Sequence, residues 1–306
     1  MATRFEIVLH GGNPVALRAA GEEALNEIDR LEAQLSLYRN TSEISHLNAH
    51  AAREPVRVTP GLFALLQQAQ KLHGETAGAF DITIGPLVRC WGFMGGSGHS
   101  PDPDELAEAR ARVGMHLVQL NRQDCTVAFT REGVMLDLGA IGKGYAIERA
   151  AQLLRESGLT SALLHGGTST VYALGHPPDA ECWKVAVENP RSEQPDGGSA
   201  TLATMPLKDE AMSVSSVFGK AFQEEGKTLG HVLDPRTGQP VKGAILAAVV
   251  LPSATETDAL STALLTLGAA GHENIANLRT GMRTLLFSES DGGFRVETKG
   301  VHHGGG

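Results

Sequence analysis

The apolar residues of this chain change their period repeatedly, and that restricts the fold more than any other feature. Phe5, Ile7 and Leu9 alternate with Glu6, Val8 and His10, the pattern of a strand with one buried face. Leu17, Ala20, Ala24, Ile28, Leu31 and Leu35 then recur at spacings of three and four, which makes one face of a helix. Thr59-Pro60 reads as an N-cap followed by proline at the first helical position. Leu62, Leu65, Leu66, Ala69 and Leu72 continue from there as a second helical face. Short strand-like runs follow at 117–120, 127–129, 134–138, 162–164, 171–174 and 183–187. A third helix is expected at about 144–156, stopped by Gly158. Residues 227–233 and 245–251 read as strands joined by a turn, 257–267 as a helix, and 284–287 with 294–297 as a closing hairpin around Asp291-Gly292-Gly293. Hairpin-like neighbours with no regular βαβ alternation point to a mixed α and β fold of the α+β kind.

Composition narrows the function classes. The chain has 306 residues, 42% of them apolar and 20% charged, which is globular composition and gives ample length for a core. Its formal charge is −9, without a basic block, and aromatic residues are only 5%. Binding to nucleic acid or to an anionic membrane is therefore not expected. No run approaches the roughly 18 apolar residues of a membrane span. The first ten residues lack a signal peptide's apolar stretch, which places the chain as written in the cytoplasm. A trimmed leader would place it in the periplasm or at a membrane instead. Cys90, Cys125 and Cys182 are odd in number and form no Cys-x-x-Cys, so they read as buried structural thiols. Glycine stands out at 36 residues, against a usual share of roughly 7%. Two stretches rich in Gly, Pro and polar residues, 94–103 and 189–199, read as loops, and the second as an insertion inside one domain spanning 1–299. Residues 300–306 read as a flexible tail.

Three segments could carry chemistry. In Asp137-Leu138-Gly139-Ala140-Ile141-Gly142-Lys143-Gly144 a strand ends at an acid, three glycines follow, and a helix begins. Small residues let backbone approach a ligand, and a helix start with a lysine beside it favours phosphate. The spacing is neither a P-loop nor a dinucleotide fingerprint, and a tight turn with a solvated lysine reads equally well. In Thr257-Asp258-Ala259-Leu260-Ser261-Thr262, helical spacing puts Asp258 and Thr262 on one face. A carboxylate and a hydroxyl there are hard oxygen donors of the kind Mg²⁺ takes, unless Thr257 or Asp258 merely caps the helix. In His231-Val232-Leu233-Asp234-Pro235-Arg236-Thr237-Gly238, turn chemistry follows a histidine that either packs or acts as a general base. The i, i+4 pair His46 and His50 reads as surface, and Gly-x-Ser-x-Gly is absent.

Taken in order, these segments resemble the ApbE family of FAD:protein FMN transferases. The resemblance begins at Met1-Ala2-Thr3 and passes through Leu35-Ser36-Leu37-Tyr38, then Ser42-Glu43-Ile44-Ser45 with Asn48. It continues through Gly78-Ala79-Phe80-Asp81-Ile82-Thr83-Ile84-Gly85-Pro86-Leu87 and Trp91-Gly92-Phe93. The 137–146 motif, Gly166-Gly167, the His231 segment and the Asp258 segment complete it. The resemblance implies a two-lobed fold of mostly antiparallel sheets and packed helices, with a flavin cleft between the lobes. It implies Mg²⁺ held by the Ala140 carbonyl, Asp258, Ser261 and Thr262. FAD would be lined by Met1, Tyr38, Ala79, Phe80, Asp81, Asp137, Lys143 and Val232. FMN would pass from FAD to a Ser or Thr hydroxyl of an acceptor redox flavoprotein through a phosphoester bond, releasing AMP. Within that scheme His231 is nominated as the base and Asp258 as the essential carboxylate. An FAD pyrophosphatase and a non-catalytic FAD-binding protein are the alternatives. The chain departs from the family pattern in three places: Thr168 replaces an acid, Val214-Ser215-Ser216 stands where Thr-Ser-Gly is common, and Ser261 stands where alanine is common.

Overall fold

Asn13 starts the first helix of the computed structural model by accepting the Val15 and Ala16 N–H groups at 3.0 and 3.3 Å. The structure describes residues 3–96, 98–192, 200–218, 221–224, 227–290 and 293–301, and gives backbone only for 221–224 and 227–229. Met1 and residues 302–306 of the expected tail therefore lie outside the described residues, as do Asp291 and Gly292.

Strand β1 (Phe5–Leu9) precedes α1 (Pro14–Leu35), whose buried face includes Ala20, Ala24, Ile28, Leu31 and Leu35, as its spacing requires. Next come α2 (Glu43–His50), β2 (Val56–Arg57), α3 (Pro60–Glu75), α4 (Gly85–Cys90) and α5 (Pro103–Arg110). Strands β3 (Val118–Asn121) and β4 (Thr126–Phe129) join β2 in a three-stranded sheet. Residues 94–96 and 98–102 form no helix or strand before α5, as expected from their composition, and Ser97 lies outside the described residues. Thr59 precedes α3, but its side chain makes no cap bond. Its hydroxyl instead donates to Glu43 at 3.0 Å and accepts from Gln34 at 2.7 Å, so it ties α1, α2 and α3 together.

The second part begins with α6 (Gly142–Glu156), two residues earlier than the sequence suggests, and ends at Gly158, whose φ is +81°. Strands β5 (Ser161–Gly166), β6 (Thr170–Gly175), β7 (Trp183–Glu188), β8 (Thr201–Leu207) and β9 (Glu210–Ser216) follow, then β10 (Ala221–Glu224), β11 (Lys227–Gly230) and β12 (Ala244–Leu251). Helix α7 (Ala254–Ala276), β13 (Arg283–Ser290) and β14 (Gly293–Lys299) close the chain. One antiparallel seven-stranded sheet runs β1-β5-β6-β9-β12-β13-β14. Helices α6 and α7 cover one face, with Tyr172, Leu174, Ala247 and Val249 in a core that extends to α1 and α3. The β7–β8 hairpin covers the other face, where Trp183, Val187, Met205 and Leu207 meet Val171, Met212, Ala248 and Leu285. All eight residues of β12 are buried because both faces are covered. Among the described residues no helix is long and apolar enough to cross a membrane. The three cysteines are unbonded and half-buried rather than buried.

Two strand expectations fail for physical reasons. Residues 227–233 and 245–251 do not form a hairpin: β11 pairs with β10, while β12 pairs with β9 and β13. Local alternation marks a strand but does not choose its partner. Residues 134–138 are extended and buried at Val134, Met135, Leu136 and Leu138, yet form no strand. A side chain takes the place of the missing neighbour. Asn48 donates through Nδ2 to the Leu136 carbonyl at 3.0 Å and accepts the Leu136 N–H at 2.8 Å. The Asp137 N–H donates to the Ile82 carbonyl at 2.7 Å. Asn48→Ala leaves two buried backbone groups unpaired, each costing roughly 1–3 kcal/mol. Urea unfolding should show a loss of at least about 2 kcal/mol, and a loss within error of zero would contradict this role.

Candidate functional site

The site is built where α6 and α7 meet. Helix α7 starts at Ser253, whose hydroxyl accepts the Glu256 N–H at 3.2 Å, so neither Thr257 nor Asp258 is its cap. Asp258 therefore lies in the second turn and is free to act on another element. It is only 4% exposed. Its Oδ2 accepts the Gly144 N–H at 2.9 Å, in the first turn of α6, and its Oδ1 lies 4.0 Å from Lys143 Nζ. Ile141, at the start of α6, supplies no capping side chain, so a carboxylate from a different helix meets the positive end of this one. The approach needs glycine: a Cβ at 144 would overlap the Ala254 carbonyl oxygen and come within 2.8 Å of Asp258 Cβ.

A cluster of hydroxyl groups lies on the same stretch of α7. Ser261 and Thr262 donate to the Asp258 carbonyl at 3.0 and 3.3 Å. Ser215 on β9 lies 2.9 and 3.0 Å from the same two hydroxyls. Deeper still, Ser213 contacts Thr257 at 2.9 Å and Thr170 at 3.2 Å. Ala140, Asp258 and Thr262 line the neighbouring cleft, whereas Ser261 is fully buried behind its wall. Among the described residues no three His, Cys, Asp or Glu side chains converge. The donors are thus a carboxylate, hydroxyls and a carbonyl, which suit a hard cation such as Mg²⁺ and not a soft metal.

The cleft has a volume of about 960 Å³ and lies between the helical part and the sheet. It gathers most of the residues named from the sequence. Tyr38, 63% exposed, stands at its rim, and Ala79, Phe80, Asp81, Asp137, Lys143, His231 and Val232 also line it. Burial pushes the Asp137 carboxyl up, against the Gly139 N–H that it accepts at 2.8 Å and the positive charge of Lys143. Partial desolvation at the rim, with Asp137 nearby, also raises the Tyr38 phenol.

The loop carrying His231 and Val232 is stitched to itself and to α4. Asp234 accepts from the Arg236 backbone and Nε, both at 2.9 Å, and from its terminal nitrogen at 2.8 Å. The Gly238 N–H returns to the Asp234 carbonyl at 2.7 Å. Trp91 Nε1 donates to the Gly238 carbonyl at 2.8 Å, and Leu233 packs with Leu87, Trp91 and Phe93. The His231 ring meets Phe93 edge-on, with centroids 6.5 Å apart. Further lining residues that the sequence did not single out are His165, Phe218 and the β7 segment from Val185 to Glu188. Thr168 and Val214, two of the departures, and Ser215 also line the cleft. The Val214 N–H donates to Ser169 at 2.7 Å.

Comparison with known proteins gives the family. The sequence model of the ApbE family matches residues 1–286. The chain belongs to the ApbE family. It is 29% identical over 289 residues to the FAD:protein FMN transferase of Haemophilus influenzae, covering 91% of this chain and 82% of that protein. It is 30% identical over 283 residues to the FAD:protein FMN transferase of Treponema pallidum, covering 88% and 77%. Among solved structures, the flavinyl transferase ApbE of Pseudomonas stutzeri superposes with a TM-score of 0.82 at 27% identity, covering 96% of this chain and 90% of that one. The flavin transferase ApbE of Vibrio cholerae gives 0.82 at 26%, covering 97% and 94%.

Gly144→Ala should separate α6 from α7. Overpacking of this kind costs roughly 1–3 kcal/mol, so the variant should melt several degrees below the parent. An unchanged melting temperature would mean that the Gly144–Asp258 approach is not tight.

Proposed function

We propose that this chain is an Mg²⁺-dependent FAD:protein FMN transferase that esterifies a Ser or Thr hydroxyl of an acceptor redox flavoprotein with FMN. The observation that carries the reading is Asp258, a nearly buried carboxylate at the head of α6, flanked by hydroxyls on the wall of a cleft of dinucleotide size. The names of its relatives and the identity with them support the flavin chemistry.

Asp258, Thr262 and the Ala140 carbonyl would hold the cation; Ser261, which the resemblance placed with them, is buried outside the cleft lining and bonds Ser215 instead. When bound, Mg²⁺ would supply charge neutralisation at the pyrophosphate oxygens of FAD. The chain's own groups do the rest. Lys143 and the α6 N-terminus place positive potential beside the pyrophosphate. His231 takes the proton of the acceptor hydroxyl, and that oxygen attacks the phosphorus on the FMN side. The P–O bond to the AMP phosphate breaks, and AMP leaves with the electron pair. One FAD and one hydroxyl thus yield one FMN phosphoester and one AMP.

His231→Ala should slow FMN transfer by about 10²–10⁴-fold, the usual worth of a general base, while FAD affinity stays at the wild-type value. Transfer at the parental rate would remove His231 from this role. Asp258→Ala should abolish Mg²⁺-dependent AMP release. It should also abolish the rise in melting temperature that Mg²⁺ gives the parent, because a ligand stabilises only the state that binds it. A variant that Mg²⁺ still stabilises would overturn the cation assignment.

A further inference from the structure

His73 has no part in the chemistry above, yet it stands directly behind the cleft. It occupies the last turn of α3, where the carbonyl end of the helix favours a cation. Its Nδ1 lies 3.1 Å from Oδ2 of Asp81, a carboxylate that is itself buried and lines the cleft. The other oxygen of Asp81 is fully engaged. Oδ1 accepts the Thr83 N–H at 2.8 Å and the Thr83 hydroxyl at 2.6 Å. The Thr83 hydroxyl accepts the Gly114 N–H at 2.6 Å. One face of the carboxylate is thus fastened to the loop before α4, and His73 holds the other.

The same imidazole also lies beside the turn at Gly78. Gly78 has φ +78°, and a Cβ there would touch His73 Cε1 at 3.5 Å and Arg236 Cγ at 3.7 Å. Gly78 therefore sits between His73 and the loop that carries His231. The charged groups at this point are Asp81 and Arg236, and Arg236 is already held by Asp234. The Asp81 carboxylate beside it holds the His73 pKa above its ordinary value, against burial.

We infer that His73 is a positioning residue for flavin binding: it fixes Asp81 and the 78–80 backbone in the orientation that the cleft presents to FAD. This rests on the reading of the cleft as an FAD site. Loss of this contact reaches FAD affinity only through Asp81, and one misoriented polar contact to a ligand is worth roughly a tenfold change in affinity.

The test is a double-mutant cycle on the dissociation constant of FAD, measured by calorimetry, with melting temperatures taken in parallel. His73→Phe keeps the ring volume but loses the donor, whereas His73→Asn keeps a donor near the position of Nδ1. His73→Phe should weaken FAD binding by about tenfold, and His73→Asn should recover most of that loss. In an Asp81→Asn background, His73→Phe should add little further loss. Undiminished affinity in His73→Phe would overturn the inference, as would an equal loss in both backgrounds. If His73→Phe does not fold, His73→Gln read in the same two backgrounds decides by the same criteria. Wild-type protein that binds no FAD would overturn the reading of the cleft itself, and this inference with it.

Discussion

The arrangement depends on one contact, the Gly144 N–H donated to the Asp258 carboxylate. A helix N-terminus carries unpaired N–H groups and a positive end, and a hydrogen bond to a charged acceptor is worth about 1.5–3 kcal/mol. That bond requires α6 and α7 to approach so closely that no Cβ fits at position 144. Once the two helices are set, the rest of the site follows. Helix α7 packs on the sheet, so its Ser261 and Thr262 meet Ser215 of β9. The turn before α6 then brings Asp137, Ala140 and Lys143 to the same wall.

The scaffold separates rigidity from chemistry. A sheet covered by helices on one face and a hairpin on the other supplies the floor. The residues facing the cleft come mainly from strand ends and connecting loops, each tied down by specific bonds. Trp91 holds the His231 loop through Gly238, and Asn48 holds the 134–138 segment through Leu136. Loops pinned in this way can present functional groups in fixed geometry without belonging to a ladder.

Much of this was legible in the sequence because the signals were local. The apolar faces of α1 and α3 follow from period alone, and Gly158 ends α6 in the left-handed conformation its position suggested. The ordered motifs pointed to the cleft, and the structure brings Tyr38, Asp81, Asp137, Lys143, His231 and Asp258 to it. What escaped was non-local. Nothing in residues 134–138 says that an asparagine 88 positions away will satisfy their backbone. His73 and Asp81 are joined only because α3 ends and the chain reverses, and Ser215 meets Ser261 only through sheet packing. One signal was present and passed over: Ser253 with Glu256 three residues later is a helix-start pattern, and it sets Asp258 one turn inside α7.

The central claim is that this cleft moves FMN onto a protein hydroxyl. Intact-mass spectrometry of an acceptor flavoprotein tests it most directly, after incubation with the purified chain, FAD and Mg²⁺ and with AMP quantified in the same reaction. The account requires the acceptor to gain the mass of one FMN less one water, with one AMP released per label. AMP release with no mass gain on the acceptor would show water to be the nucleophile and would contradict it.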